Sequence, residues 1–201
     1  FGIEITRLDM KLLSDMLIKK SYDERELLKL KKWIKSDCLK IEIPKETDEH
    51  NLDKSLALYL IVRDMMKELN AVGGGFMSQL EWGSDSRGIP LPVADIMESL
   101  FNSTFDHNGP KEVIPYATEA DVQALLTQLF MTWLSGGNPP LFMDFRKVWE
   151  PNEIKEFAKQ NKVELSGKSI WEKKGFVDGV NSGSASFDWA ALPGTPRNQV
   201  I

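Results

Sequence analysis

Cysteine and histidine are scarce in this chain: 201 residues hold one cysteine and two histidines. A lone Cys38 cannot close an internal disulfide, so no disulfide scaffold organises the fold, and a reducing, cytoplasmic compartment is expected. With His50 and His107 far apart in sequence, a zinc site built from this chain alone is not expected. Positive charge is not in surplus either. Twenty-five basic and 30 acidic residues leave a formal charge of −5, which argues against nucleic acid as a partner because no basic excess exists to neutralise phosphates. The longest apolar run, Leu56 to Val62, falls far short of the roughly 20 residues that a membrane-spanning helix needs, so no membrane partner is expected. No Walker-type lysine pattern occurs. Gly73-Gly74-Gly75 lacks both the spacing and the following helix of a dinucleotide loop. Ser182 has no nucleophile-elbow context, which sets aside a serine hydrolase.

What is present is ordinary globular composition, 42% hydrophobic and 27% charged, enough for one domain or two small ones with a sizeable core. The chain opens at Phe1 directly on what reads as a strand and closes on Gln199-Val200-Ile201 without a polar tail. A piece of a longer polypeptide is the expectation.

Periodicity predicts a short strand at Gly2–Thr6, then a helix carrying Leu12, Leu13, Met16 and Leu17. Ser21 with Glu24 gives a capping-box signature for a second helix through Leu27, Leu30 and Ile34. Ile41–Pro44 ends it and Lys45–Asn51 reads as a charged loop. A third helix carries Leu58, Ile61, Val62, Met65, Met66 and Leu69 on one face, with Met65 and Met66 as core residues. Val93–Phe101 reads as a short helix and Asp106–Gly109 as a turn that leaves His107, like His50, on the surface.

A strand–helix–strand–helix passage follows. Ile114–Ala117 reads as a strand, Thr118 with Asp121 as a capping box, and Val122, Leu125, Leu126, Leu129, Phe130 and Trp133 as a helical stripe stopped by Gly136-Gly137. Leu141–Met143 returns as a strand, Pro151 opens a helix to about Gln160, and Phe176–Val180 is another strand. Strands alternating with amphipathic helices predict an α/β fold with a mainly parallel sheet flanked by helices.

Ligands of open α/β sheets bind beyond the carboxyl ends of the strands. Glu119 follows one such strand at the first turn of the next helix, Asp144 ends another, and Ser182 follows a third. Two carboxylates sharing one crevice would supply oxygen ligands to a hard cation. Simpler roles stand beside this one: an acid at a helix N-terminus complements the dipole, and Arg146 is placed to pair with Asp144.

Several segments together resemble the L-fucose isomerase family of ketol isomerases. They are Leu100-Phe101-Asn102-Ser103-Thr104-Phe105-Asp106-His107-Asn108-Gly109, Ala117-Thr118-Glu119-Ala120-Asp121, Phe142-Met143-Asp144-Phe145-Arg146 with Trp149, and Val180-Asn181-Ser182-Gly183-Ser184-Ala185. Their order and spacing fit the family from Phe1 to about Asp188, and four short motifs in sequence over some 90 residues make the likeness fairly specific. The family is larger than this chain. The resemblance places residues 1–136 as most of a middle α/β domain and residues 137–201 as the start of a C-terminal domain.

The resemblance implies an isomerase that interconverts an L-fucose- or D-arabinose-like aldose and its ketose through a metal-stabilised enediol. It makes Glu119 and Asp144 both Mn²⁺ ligands (other divalent cations being alternatives) and carriers of the proton transfers. It places Ser182 in the sugar site and expects a third, histidine ligand outside this chain. It also implies a monosaccharide substrate and a homo-oligomer, commonly a hexamer. Where L-fucose-type members carry a glutamine after the Gly-Phe that matches Gly75-Phe76, this chain has Met77, with Gln79 two residues on. Met77 and Gln79 are therefore the substrate-side positions at which the sugar preference can differ. His107 stands where the family has tryptophan, and one residue is inserted around Gly136–Pro140. Two other classes remain open: a non-catalytic sugar-binding or assembly module of the same fold, and an unrelated α/β protein.

Overall fold

A computed structural model describes residues 2–41, 49–76, 94–141, 143–180, 186–189 and 197–200. The chain divides into two compact units, residues 1–141 with 183–201, and residues 142–182.

The first unit begins with four helices, α1 (Met10–Ile18), α2 (Glu24–Asp37), α3 (Glu49–Glu68) and α4 (Asp95–Phe101), with a fifth following nearer its end. Asp9 starts α1 by accepting the backbone N–H of Lys11 at 2.9 Å. The start of α2 lies two residues beyond the expected Ser21. Asp23 Oδ1 accepts the N–H of Arg25 at 2.7 Å, satisfying a donor that has no partner within the helix. Helix α3 packs against α1, α2 and α4 and is apolar on more than one face: Leu56, Leu58, Tyr59, Leu60 and Ile61 are all buried. Its middle two turns are buried all round, as in a core helix, and each such side chain contributes about 1.5–3 kcal/mol relative to exposure. Met66 is buried and Met65 packs against the core, as the spacing predicts, whereas Leu69 is exposed. Aromatic rings extend the core: Phe101 lies edge-on to Tyr59 at 5.0 Å and stacks on Tyr116 at 4.9 Å.

The expected strand at Gly2–Thr6 does not form, and Ile3 and Ile5 are exposed. Alternation alone makes no strand without a neighbour to pair with. The strands that do form are short. Gly74–Gly75 (β2) runs parallel to Tyr116–Ala117 (β5), and Cys38–Lys40 (β1) runs parallel to Arg197–Val200 (β8). Phe105–Asp106 (β3) and Gly109–Pro110 (β4) form an antiparallel hairpin around the expected turn. The strand foreseen from Ile114 is confined to two residues, since Pro115 has no N–H for a ladder; its carbonyl instead accepts the N–H of Gly74 at 3.0 Å.

Helix α5 (Val122–Leu134) is capped by Asp121, which accepts the Ala124 N–H at 2.9 Å. It stops at Gly136 and Gly137, both at positive φ, with the Gly137 N–H returning to the Thr132 carbonyl at 2.8 Å. The predicted stripe does not define its inward face. Gln128 and Thr132 are buried, while Val122, Phe130 and Trp133 are exposed.

In the second unit, β6 (Asp144–Trp149) pairs antiparallel with β7 (Phe176–Val180), and α6 (Pro151–Asn161) and α7 (Ile170–Lys174) lie between them in sequence. Pro151 and a reciprocal Glu150–Glu153 capping box start α6. Trp149 stacks on Phe176 at 6.1 Å and meets Phe157 edge-on at 5.6 Å. Gly175, at φ +81°, admits no side chain, because a Cβ would lie 2.3 Å from the Trp149 carbonyl oxygen. The chain is α/β, helix-rich with a modest sheet: among the described residues the strands form four pairs, two parallel and two antiparallel.

Candidate functional site

Glu119 lies just beyond β5 in a single 3-10 turn, Thr118–Ala120, and not in the first turn of α5 as the sequence suggested. Asp121, not Glu119, caps that helix. Thr118 takes no part in a capping box, because the cap of α5 falls three residues later at Asp121; its hydroxyl donates to Glu98 Oε2 at 2.8 Å. Glu119 therefore does not cap the α5 dipole. Its exposed carboxylate has no hydrogen-bond or ion-pair partner among the described residues.

The backbone at this point is unusual. Glu119 and Ala120 both adopt left-handed φ, +56° and +50°. For residues with a Cβ this costs about 1–3 kcal/mol each and persists only where the surroundings impose it. The turn packs onto β2 at a position with no room for a side chain: a Cβ on Gly75 would lie 2.6 Å from the Ala117 oxygen and 2.9 Å from Ala120 Cα. The neighbouring β5 is held by Asn102, whose amide donates to the Tyr116 carbonyl at 2.9 Å and accepts the Tyr116 N–H at 3.0 Å.

Asp144 belongs to the second unit and begins a strand where the sequence reading had it end one. Leu141 and Met143 are in no strand, and Phe142 lies outside the described residues. The antiparallel ladder places Asp144 opposite Val180, the last residue of β7. Position at the end of a strand pair is retained, but with opposite chain direction. Arg146 Nη2 donates to Asp144 Oδ2 at 3.0 Å, and both side chains are exposed. Ser182, Met77 and Gln79 lie outside the described residues. Among the described residues no group of three or more histidine, cysteine, aspartate or glutamate side chains could hold a metal ion.

The sequence misplaced His107. It sits in the expected turn, yet its side chain is fully buried and its Nε2 lies 3.0 Å from Glu26 Oε1. Arg63 donates to both oxygens of Glu26, at 2.5 and 3.0 Å, and Asn108 adds a further amide at 3.0 Å. The Arg63 hydrogen bond is the main cause that holds the Glu26 carboxyl down at about 2. Beside it the hydroxyl of Tyr59 donates to Asp106 Oδ2 at 2.8 Å, and burial pushes that phenol above its ordinary range. Glu26, Arg63 and Tyr59 are 37 to 82 residues distant from partners in this network. No local pattern signals such pairs. His50 falls in the first turn of α3, not in a loop.

A second polar cluster ties the residues after β7 back to α4. Asp188 accepts the Thr104 N–H at 2.8 Å and also bonds the Thr104 hydroxyl, and Ser103 Oγ accepts the Phe187 N–H at 2.8 Å. Lys111 closes the end of α4 by donating to the carbonyls of Phe101 and Ser103 at 3.1 and 2.5 Å.

The fold is that of a helix-rich α/β protein in which an exposed carboxylate, unpartnered among the described residues, lies just past a strand end, the side of open α/β sheets on which ligands bind. The family described as "L-fucose isomerase, second N-terminal domain" matches residues 1–136, and the chain belongs to the L-fucose isomerase family. Among similar proteins, the L-fucose isomerase of Clostridium perfringens is 36% identical over 122 residues, 61% of this chain and 18% of that protein. The L-fucose isomerase of Salmonella choleraesuis is 30% identical over 212 aligned positions, 94% of this chain and 34% of that protein. That of Salmonella typhimurium matches to the same extent. The chain thus spans about a third of the length of these Salmonella relatives. No helix among the described residues is long and apolar enough to cross a membrane.

Proposed function

We propose that the chain is the central part of a cytoplasmic, homo-oligomeric aldose–ketose isomerase acting on an L-fucose- or D-arabinose-like monosaccharide. Residues 1–136 form most of its middle domain and residues 137–201 the start of its C-terminal domain. The observation that carries the proposal is the carboxylate of Glu119, exposed, unpartnered among the described residues and held on a left-handed backbone at the end of β5. The relatives' activity supports it.

Glu119 and Asp144 offer hard oxygen donors of the kind that suits Mn²⁺, with a third ligand supplied from outside this chain. When bound, such a cation supplies Lewis-acid stabilisation of negative charge on the sugar oxygens. The residues of this chain carry the proton chemistry. An aldose becomes a ketose when a base removes the proton from C2, an acid delivers one to C1 and the hydroxyl proton passes from O2 to O1, so a pair of carboxylates alternating between the two protonation states meets the need. Glu119, with no bond to break before it engages substrate, suits the base; Asp144 must first exchange its Arg146 partner. Ser182 adds a hydroxyl to the sugar site, and Met77 with Gln79 sets the preference among sugars.

The complete gene product, stripped with chelator and resupplied with Mn²⁺, tests this on a panel including L-fucose and D-arabinose. Metal-restored ketose formation is expected, and Glu119→Gln should abolish it. A folded, metal-loaded protein that converts none of these sugars would favour a non-catalytic binding or assembly module instead.

A further inference from the structure

We infer, building on the reading of Glu119 as a metal ligand, that one face of α4 is the template that aims its carboxylate, with Glu98 and Asn102 as positioning residues. The two lie four positions apart, hence on one side of the helix and its cap. Asn102 grips the backbone of Tyr116 on both its N–H and its carbonyl, at 3.0 and 2.9 Å. Two residues on, Thr118 Oγ1 donates to Glu98 Oε2 at 2.8 Å. Between these anchors, Ala117 is paired with Gly75 in the parallel ladder. The strand is therefore fixed on both sides before the chain turns left-handed at Glu119 and Ala120.

Glu98 itself calls for a role. It is fully buried in a helix whose neighbours Met97 and Leu100 are apolar core, where an apolar residue would serve packing without the desolvation cost of an acid. Its carboxylate binds the hydroxyl of the residue immediately before Glu119, which is the reach of an outer-shell group that orients a ligand. The strained backbone needs such support, because a Glu119 free to relax to negative φ would carry its side chain to a different direction.

The test is Mn²⁺ titration by calorimetry of the full-length, metal-stripped protein, with thermal melting of each variant alongside. Thr118→Val removes the donor while keeping shape, and Glu98→Met removes the acceptor. Each is expected to weaken Mn²⁺ binding about 10- to 100-fold, with Thr118→Ser restoring wild-type affinity and the double variant no weaker than either single one. Non-additivity of that kind identifies one shared contact, which two independent packing defects would not produce. If Glu98→Met does not fold, Thr118→Val and Thr118→Ser decide the matter alone. Unchanged Mn²⁺ affinity in folded Thr118→Val, while Glu119→Gln loses the metal, overturns the positioning role and leaves Glu119 as a ligand. Wild-type affinity in Glu119→Gln overturns both.

Discussion

His107 Nε2 lies 3.0 Å from Glu26 Oε1, joining a hairpin turn to a helix 81 residues earlier in the chain. The contact makes the turn part of the core of the first unit, with Arg63 completing the charge balance from α3. A carboxylate that serves an arginine, a histidine and an amide at once takes a partner from the buried His107 and the half-buried Arg63 when it is removed.

Glu26→Ala is therefore expected to cost about 2–3 kcal/mol, the scale of a lost hydrogen bond to a charged group together with the donors it strands. The wild-type carboxyl is held at about 2 in the folded protein, against an unfolded value of roughly 4.3. Its contribution is thus fully present above the unfolded value and lost as pH falls towards the folded one. Urea titrations between about pH 5 and pH 2 should show a decline in stability that Glu26→Gln flattens. Parallel profiles for the two proteins would contradict this account.

Lys111 gives a slope of the same sign in an alkaline window. Burial pushes its amine down to about 8, so between about pH 8 and the ordinary lysine value near 10.4 the unfolded chain binds the proton and the folded one does not. Stability measured relative to Lys111→Met should rise across that window. The comparison cancels the opposing effect of Tyr59 and Tyr116, whose phenols are pushed up by burial.

Gly75→Ala forces a methyl group against backbone atoms at 2.6 and 2.9 Å, and backbone cannot swing aside as a side chain can. A loss of about 1–3 kcal/mol is expected from chemical denaturation, the usual cost of overpacking. An unchanged midpoint would mean that β2 and the Glu119 turn separate readily.

Arg146→Ala removes an ion pair whose members are both exposed, and such pairs contribute within about 0.5 kcal/mol. Stability should hardly move. Asp144→Asn, by contrast, is expected to abolish Mn²⁺-dependent isomerisation in the complete protein at unchanged melting temperature. Full activity in that variant would remove Asp144 from the chemistry.

Much was legible where a local pattern has a local cause. The helices around Leu13, Leu30 and Ile34, the stop at Gly136-Gly137, the turn at Asp106–Gly109, the proline-started α6 and the strand Phe176–Val180 follow from spacing, caps and glycines within a few residues of one another. The same patterns put Glu119 just past a strand and Asp144 beside Arg146, and both placements hold in the structure. Only tertiary structure decided the rest. The Gly2–Thr6 alternation remained unpaired because a strand is completed by a partner, not by its own sequence. Asp144 turned from the end of a strand to its beginning because its ladder partner is β7, some 30 residues away. His107 became buried because α2 and α3 bring Glu26 and Arg63 to it. The left-handed turn at Glu119, held by Glu98, Asn102 and Gly75, draws on three separate stretches of chain. Periodicity records what one element does with its own backbone; burial, ion pairing and strain are settled by which elements meet.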